Sequence, residues 1–526
     1  MMIRQRRFIT LIIVYLLISI SILFYTATGV YGAQTPETEG ARAEWMNAVP
    51  VGTLEDLADF QTNLPIVVID VGGQEFRRVK VWDSKKQGYN HIDYDPYVEG
   101  TIQLIDTGIG INHLADAPQI ESNIQTRIRG CSSQSYPKEQ YLIKLFNEDG
   151  TKNPQSLLGM SSDHEWILNI SYIDKTLVRN YLAYTVSARV MDYASDVRYC
   201  EVFFRNNDIY QYNGVYLLIE KSKRGASKIP ITKYDPRFAE SAYILLRDRF
   251  DDKALILNTY GTQHGFTDEY LMVEYPSKNE ITDETIQFIE NDINKFEEAL
   301  FAENDKDFLK YKNYVNIESF ADYFILNEFF ANYDATKHSV YMYKDIKGKL
   351  TMGPVWDFDS AIDNYYPHKL KIDSTAMHDG VWFRQMLRDG DFVKLIINRY
   401  AALREDILSD TSIDAVIDEA VRIITPAQVR DWHRWDYNSV YDAQFTGNVR
   451  VTLLPLTGNR WEYGEAIEQC KQTLHAHGGW MDEHLDSLYQ FSTIEPTDGR
   501  SEWFGSSMAG ITLIAFFISV FLVQKC

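Results

Sequence analysis

Cysteine is scarce in this chain, and the spacing of its cysteines argues against a structural zinc site and against a disulfide framework. The 526 residues include four cysteines, Cys131, Cys200, Cys470 and Cys526. None forms a C-x-x-C pair, which makes a structural zinc site improbable, and so few in a long chain are no disulfide framework. A single bridge between Cys131 and Cys200 stays open, but we expect free buried thiols.

Positive charge is also in short supply. The chain has 52 Lys and Arg against 74 Asp and Glu, which gives a formal charge of −22. Because contacts to a phosphate backbone need clustered Lys and Arg, we expect no nucleic-acid partner. The acidic balance does not exclude a nucleotide, for which a few basic groups and a metal ion suffice.

Long apolar runs are confined to the two ends. Residues 8–30 are apolar and follow three arginines, which favours a cytoplasmic N-terminus and predicts that 1–33 is a signal peptide or an N-terminal membrane anchor. Residues 503–523 carry no charge and are long enough to cross a bilayer, so we predict a C-terminal transmembrane helix. Together these runs predict a membrane-tethered protein whose main domain is extracytoplasmic, at the cell surface or envelope.

The body of the chain changes character along its length. We expect linkers at 34–60 and 491–502 around one domain at 61–490. The strand-like runs are 64–71, 79–82, 100–105, 125–130, 141–145, 200–204 and 214–220, and the helical ones are 175–191, 283–302, 317–330 and 383–419. This order predicts an α+β fold with a β-rich N-terminal part and a helical C-terminal part. Segment 221–263 is interpreted as a connection with an insertion, and its Asp248, Asp251 and Asp252 as solvated charge.

Two polar loops in the second half carry carboxylates at a spacing suited to phosphoryl transfer. Asp334 lies between two apolar runs, and Asp357 and Asp359 follow at the end of a short hairpin. Protein kinases use a loop Asp for the acceptor hydroxyl, an Asn five residues later, and an Asp-Phe-Gly whose Asp binds magnesium. Here Ser339 stands where the Asn is expected, and Asp359 where the Gly is.

A small-residue turn between two strands offers a second half-site. The sequence Arg127-Ile-Arg129-Gly-Cys-Ser132-Ser133 allows backbone N–H groups and the two serine hydroxyls to approach phosphate oxygens. Lys144 ends the apolar run Tyr-Leu-Ile-Lys, as does the strand lysine that contacts the α- and β-phosphates in kinases.

These blocks together resemble the CotH-type spore-coat kinases, an atypical protein-kinase-like family. The likeness covers roughly residues 60–430. Its blocks are Arg-x-Arg-Gly-x-Ser-Ser, Pro-Lys-x-x-Tyr-x-x-Lys-Leu, Leu158-Gly-Met160 with Asp163 and Trp166, Tyr212-Asn-Gly-Val-Tyr216 with Glu220, Asn332-x-Asp334, and Trp356-Asp-Phe-Asp359.

The resemblance implies a two-lobed kinase-like fold that uses ATP and Mg²⁺ or Mn²⁺ to phosphorylate Ser or Thr of surface or spore-coat proteins. In that case Lys144 contacts the nucleotide phosphates, Asp334 is the catalytic-loop acid, and Asp357 binds the metal with Asp359 and Ser339. Arg127 and Arg129 become phosphate or salt-bridge partners. Glu220, also expected in the nucleotide site, is a hinge residue or forms an inter-lobe salt bridge.

Two departures from the family pattern leave other functions open. A serine is a poorer metal ligand than the family's amide, although Asp359 would compensate. Ser339 therefore favours an alternative, a weak or inactive pseudokinase scaffold that anchors envelope or spore-coat proteins. The paired membrane segments are unexpected in a coat protein, and the 13% aromatic content suits a carbohydrate-associated envelope protein.

Overall fold

A β-rich half precedes a helical half in the computed structural model, which describes residues 49–364, 373–435 and 462–500. The strands are β1 Val51–Gly52, β2 Gln61–Thr62, β3 Ile66–Asp70, β4 Lys80–Asp83, β5 Gly88–His91, β6 Val98–Ile105, β7 Asn112–His113, β8 Ile120–Ile128, β9 Tyr141–Phe146, β10 Glu165–Asn169, β11 Val197–Asn206, β12 Ile209–Glu220, β13 Tyr243–Asp248, β14 Phe250–Asp251, β15 Tyr270–Tyr275, β16 Val340–Lys344 and β17 Thr351–Met352. The helices are α1 Arg179–Ser187, α2 Tyr260–Gln263, α3 Asp283–Leu300, α4 Asp305–Phe308, α5 Ile317–Phe329, α6 Val381–Met386, α7 Gly390–Arg404, α8 Asp410–Ile424, α9 Ala427–Trp435 and α10 Tyr463–His484. The predicted α+β class and its order of halves are confirmed.

The main sheet of the first half closes on itself. Its strand order is β1-β12-β10-β9-β8-β6-β3-β11, and β11 pairs with β12 as well. β11 runs parallel to β3, with Glu201 opposite Ile66, and antiparallel to β12. The strands from β12 round to β11 therefore form a barrel, to which β1 is added through β12.

Alternation along each strand divides the side chains between the barrel interior and its outer wall. On β9, Ile143 and Leu145 belong to the interior cluster, whereas Leu142 belongs to the cluster that includes the helices. Lys144 shares the side of Leu142, because residues two apart on a strand point to the same face. This part of the outer wall therefore faces the helical half.

The helices of the second half begin at sequence-encoded caps. Thr282 accepts a hydrogen bond from the backbone of Thr285 at the start of α3, and Asn316 accepts one from Ser319 at the start of α5. The buried face of α3 includes Ile289, Ile293, Phe296 and Leu300. The predicted helices at 283–302 and 317–330 are confirmed. The helical run 175–191 yields the shorter α1, preceded by a loop that holds Asp174.

A second sheet, ordered β15-β13-β16-β17, lies in the helical half. β13 lies inside the segment interpreted as a connection, and β16 and β17 form the hairpin between the two carboxylate loops. Helix α9 belongs to the C-terminal part but packs on strand β12 of the barrel. It therefore joins the two halves.

The ends of the domain have structure within the described residues. β1 lies inside the range expected to be a linker, and in the other such range the backbone and hydroxyl of Thr497 donate to Asp391. Cys131, Cys200 and Cys470 are unpaired thiols. The apolar runs 8–30 and 503–523 lie outside the described residues. Among the helices of the described residues, none has the length and apolar character to span a bilayer.

Candidate active site

The two carboxylate loops meet in the structure. Asp334 lies in the 3₁₀ turn Tyr333–Thr336, directly after α5, and Asp357 and Asp359 follow β17. The side-chain amide of Asn332 donates to the backbone carbonyl of Asp357 (3.2 Å), which ties the loops together. Ser339 Oγ lies 3.5 Å from Asp357 Oδ2, at the limit of a hydrogen bond.

Two of these residues have unusual backbone conformations. Asp357 has φ +66° and Ser339 has φ +57°, both in the left-handed region. Asp and Asn enter that region more readily than most residues, and strain of this kind concentrates at functional sites. The loops are thus held in shape by contacts around them rather than by local preference.

Several carboxylates surround Asp359 in this site. Burial raises the pKa of Asp359 well above its usual range, and the neighbouring carboxylates of Asp357, Asp174 and Asp334 raise it further. Burial likewise raises the pKa of Asp248 to about 6, with Asp357 adding to the effect and Arg249 opposing it. Adjacent carboxylates in a protected site suit a bound cation.

The donor atoms fit a hard divalent ion. Asp357 and Asp359 supply carboxylate oxygens and Ser339 a hydroxyl, and oxygen ligands of this kind suit Mg²⁺ and Mn²⁺. An ion there would remove the repulsion that raises the pKa of Asp359. The residues present therefore fit the metal that the sequence implies.

A relay of side-chain amides links the small-residue turn to the Asp357 loop. Gln140 Nε2 donates to Ser133 Oγ (2.5 Å), and Asn169 Nδ2 donates to Gln140 Oε1 (3.1 Å). Asn180 Nδ2 donates to Asn169 Oδ1 (3.3 Å), and Asn180 Oδ1 accepts from the backbone N–H of Phe358 (2.7 Å). Each hydrogen bond fixes the orientation of the next side chain, so the relay holds the small-residue turn and the Asp357 loop in a fixed relative position.

The turn itself depends on Gly130. This residue has φ +100°, and a Cβ at its position would lie 2.0 Å from Ser133 Oγ and 2.5 Å from Gln140 Nε2. Arg129 Nη1 donates to Gln140 Oε1 (3.0 Å), and its guanidinium lies 5.5 Å from the ring centre of Trp356. Ser132 is exposed at the start of the following 3₁₀ turn. Arg129 and Ser133 therefore contact the network of the site, whereas Ser132 faces solvent.

A buried ion pair supports the far side of the Asp359 loop. Arg179 Nη1 pairs with Asp174 Oδ1 (2.5 Å), and Arg179 also donates to the backbone carbonyls of Ala361 (3.0 Å) and Ile362 (3.1 Å). Both charged side chains are almost fully buried. They hold the loop that follows Asp359 against α1.

Lys144 and Arg127 lie together on the outer wall of the barrel. Lys144 Nζ is 4.3 Å and the Arg127 guanidinium 5.5 Å from the ring centre of Tyr97. Although burial acts in the opposite direction, hydrogen bonding to Lys144 and the charge of Arg127 lower the pKa of Tyr97. Within the described residues no carboxylate lies at ion-pair distance from Lys144, and its ammonium group contacts Tyr97.

Glu220 is not brought together with the other predicted residues. It lies opposite Trp166 in the ladder, and Trp166 lies opposite Ile143, so all three face the barrel interior. Its carboxylate accepts from the backbone N–H groups of Ser161 (3.0 Å) and Asp196 (3.4 Å). The expected inter-lobe salt bridge is not found among the described residues, because the Glu220 carboxylate accepts from backbone N–H groups inside the barrel instead.

Sequence reasoning missed several residues of the site. Asp248 was interpreted as solvated, but it is partly buried, with 17% of its side chain exposed, and it lies beside Arg249. Although burial acts in the opposite direction, the charges of Asp334 and Asp248 raise the pKa of Arg249. His338 is also largely enclosed, and burial with the nearby Arg249 lowers its pKa to about 3, so it is neutral. The side-chain amides of Gln140, Asn169 and Asn180 were also missed. One feature of the sequence could have indicated them, because they are polar residues beside strand or helix runs that are otherwise apolar.

Comparison with known proteins supports the inference from the motifs. Among curated proteins nothing matches this chain. The family model described as CotH kinase protein matches residues 126–462. That range is more than half of the chain, and it includes the turn, Lys144, the amide relay and all of the site carboxylates. The chain belongs to the CotH kinase protein family.

Proposed function

We propose that this protein is a membrane-tethered, extracytoplasmic kinase with a two-lobed kinase-like fold that transfers the terminal phosphoryl group of ATP to Ser or Thr of surface or coat proteins. The observation that carries the proposal is that the loops of Asp334 and Asp357 are joined, so that the carboxylates of Asp334 and Asp357 both lie close enough to raise the pKa of the buried Asp359. A structural role alone would not favour such an arrangement, because like charges in a protected site oppose folding.

Each residue has a place in this transfer. Asp334 would orient the acceptor hydroxyl and take its proton as the new O–P bond forms and the bond to the departing ADP oxygen breaks. Asp357, Asp359 and Ser339 would hold Mg²⁺ or Mn²⁺, and when bound the ion neutralises charge on the phosphates. Lys144, with Arg127 beside it, would contact the phosphates from the outer wall of the barrel.

The amide relay supports the proposal from the other side of the site. Arg129 and Ser133 would present the turn to the nucleotide, and Gln140 would fix both of them relative to the Phe358 backbone. Phosphoryl transfer depends mainly on positioning, so a rigid connection between phosphate and metal half-sites is expected.

The test is phosphoryl transfer from labelled ATP by the purified protein with Mg²⁺ or Mn²⁺ and a Ser-rich acceptor. We expect transfer by the natural chain and none by Asp334→Asn or Asp357→Asn. Asp406→Asn is the matched control, since its side chain is 76% exposed and far from these loops in sequence. Equal activity in all of these proteins would contradict the proposal.

Location needs a separate test. Protease added to intact cells or protoplasts should degrade the main domain and leave a small membrane-bound C-terminal fragment. Protection of the domain until the cells are permeabilised would place it in the cytoplasm instead.

A second candidate function is a scaffold without catalysis. Ser339 favours it, because the hydroxyl is at the limit of hydrogen-bond distance from Asp357 and replaces the stronger amide ligand. A scaffold should bind envelope or coat proteins equally well as Asp357→Asn and should give no turnover with either Ser339 or Asn at that position.

A further inference from the structure

A cleft opens at one end of the barrel, and none of its lining residues belongs to the candidate active site. Its volume is about 300 Å³, at the lower end of the range for small-molecule sites. β3 and β11 run parallel and both end here, whereas β9 runs in the opposite direction and begins here. The first half of β12 and the end of α9 complete the lining. The mouth of a barrel is a common place for a ligand.

Three aromatic rings line the cleft and pack against one another. The ring centre of Phe76 lies 4.9 Å from that of Tyr141 and 5.9 Å from that of Phe204, and the rings of Tyr141 and Phe204 are 5.4 Å apart. All three belong to or pack against the interior cluster of the barrel. Phe76 and Phe204 are half-buried, so part of each ring stays open to the cleft. Such a surface suits the flat C–H face of a ring-shaped ligand.

Arg434 brings a positive charge to the cleft. Its Nε donates to the backbone carbonyl of Tyr212 (3.0 Å), and its guanidinium lies 4.2 Å from the ring centre of Trp435. Within the described part of the chain no carboxylate lies at ion-pair distance from Arg434, and neither of its Nη groups makes a hydrogen bond there. These donors can therefore bind an acidic group of a ligand by two parallel hydrogen bonds.

The other charged side chains of the cleft already have partners. Arg205 pairs with Asp70 (2.8 Å), and Glu139 pairs with Arg78 (2.9 Å). Because each of these pairs is neutral, Arg434 leaves the cleft with one net positive charge. The charge of the ligand that complements this cleft is therefore negative.

Asn213 supplies a buried polar group with a free acceptor. The residue is 8% exposed and lines the cleft. Its Nδ2 donates to Tyr216 Oη (2.7 Å), which donates to the backbone carbonyl of Glu139 (2.9 Å), and these bonds fix the amide. Its Oδ1 accepts no hydrogen bond from the described residues, so it is available to a hydroxyl group. Asn213 comes from the block Tyr212-Asn-Gly-Val-Tyr216, which has no role in the proposed phosphoryl transfer.

We propose that this cleft binds an anionic sugar unit, that is, a sugar ring with a carboxylate or a phosphate. The aromatic rings contact the C–H face of the sugar, Arg434 pairs with its acidic group, and Asn213 Oδ1 accepts from one of its hydroxyls. The site is additional to the proposed kinase function and does not depend on it, because the sugar is bound and not changed.

Sugar binding by the purified full chain, without nucleotide or metal, tests the cleft. The probes are glucuronate, glucose 6-phosphate and glucose, followed by saturation-transfer NMR and titration. We expect both anionic sugars to bind at least about fivefold more tightly than glucose, by a margin that falls as salt rises. The tighter of the two identifies the acidic group. Benzoate has a flat ring and a carboxylate but no hydroxyls, so it should bind more weakly than glucuronate.

Variants of the protein locate the site. Arg434→Gln should lower the affinity for the anionic sugars to that for glucose, whereas Arg434→Lys keeps the charge and should keep part of the preference. Phe76→Leu should weaken binding of all three sugars about threefold, with thermal unfolding as the check on the fold. Arg384→Gln is the matched control, since Arg384 is 61% exposed and lies outside the cleft.

The outcomes separate this proposal from the kinase proposal. Equal binding of all three sugars, tighter binding of benzoate, a preference retained by Arg434→Gln, or displacement of the sugar by ATP would overturn the cleft proposal, even if phosphoryl transfer is active. Asp357→Asn should bind the sugars normally. Binding that prefers the anionic sugars and depends on Arg434 would support the cleft, even if the kinase proposal fails.

Discussion

Buried charge is arranged in opposite ways at the α9 joint and in the candidate active site. At the joint, Lys138 pairs with Asp431 (2.6 Å) and Arg430 with Glu201 (2.6 Å), and all four side chains are 0% exposed. In the site, the carboxylate of Asp359 lies near other carboxylates, and its pKa is raised. In the first arrangement each buried carboxylate has a cationic partner, whereas in the second several carboxylates lie near one another.

The joint shows how closely a paired charge can be fitted. Asp431 Oδ1 accepts from Lys138 Nζ and also from the backbone N–H of Val215 (2.7 Å). Gly214 has φ +106°, and a Cβ there would lie 2.2 Å from Asp431 Oδ1. Burial lowers the pKa of Lys138 although Asp431 opposes this. In the joint the buried charges form pairs that fix a contact, whereas carboxylates gathered around a buried carboxyl group are typical of a binding site.

The largest effect is expected from breaking the joint. Asp431→Ala should lower the free energy of unfolding by about 3–5 kcal/mol, because Lys138 is left buried and uncompensated. Thermal unfolding would measure it. The double variant with Lys138→Met should recover much of the loss, and a double variant as unstable as the single one would show that charge pairing is not what stabilises this joint.

Breaking the site should affect binding instead of folding. Asp357→Ala should weaken Mn²⁺-dependent ATP binding by about a hundredfold, equivalent to ~2.7 kcal/mol, while the fold stays intact. Asp357→Asn should lose binding equally but tolerate the positive φ better than Ala. Calorimetric titration gives the affinities, and Asp406→Asn serves as control. Unchanged affinity in both variants would remove Asp357 from the metal site.

The metal-free protein should lose stability as pH rises through the range in which Asp248 ionises. Its pKa is about 6 in the folded protein, above its ordinary 3.8, so the folded state holds the proton more tightly. Its contribution is therefore complete below about pH 4 and lost by about pH 6, on the order of 2 kcal/mol. Denaturant titrations across this range should show the fall, and Asp248→Asn should reduce it, because Asp359, whose pKa is also raised, contributes to the fall as well. An identical pH profile in that variant would assign the fall to other groups.

The smallest effect is expected at Ser339. Ser339→Asn restores the family's amide ligand, and Asn is well suited to the left-handed backbone there, so activity should be kept or raised by about twofold to fivefold. A turnover assay with matched thermal unfolding distinguishes a change at the metal from a change in stability. Loss of activity with an unchanged melting temperature would mean that the hydroxyl has a role of its own.

Features encoded locally could be predicted from the sequence. Capped amphipathic runs gave α3 and α5, and Asp334, Asp357 and Asp359 were identified because each lies in a short motif with a kinase-like spacing. These motifs depend on residues a few positions apart, and the family match includes all of them.

Features set by register and distant pairing could not be predicted. The face on which Glu220 lies depends on which residue it opposes in β10, and a shift of one position would reverse it. The contact of Asn180 with Phe358 joins α1 to the Asp357 loop, and no local sequence pattern connects these two segments. The partial burial of Asp248 likewise follows from tertiary packing, which the charged residues next to it in the sequence did not indicate.

The parallel pairing of β3 with β11 has a consequence for how the chain comes to fold. As the polypeptide leaves the ribosome, Ile66–Asp70 emerges well before Val197–Asn206, its partner in the ring. The strands made before β11 cannot close the barrel until β11 is synthesised, and their apolar side chains stay exposed until then. Non-local pairing of this kind is slow and prone to misassembly. Truncated chains that end before β11 should therefore be insoluble, whereas chains that extend beyond β12 can complete the ring.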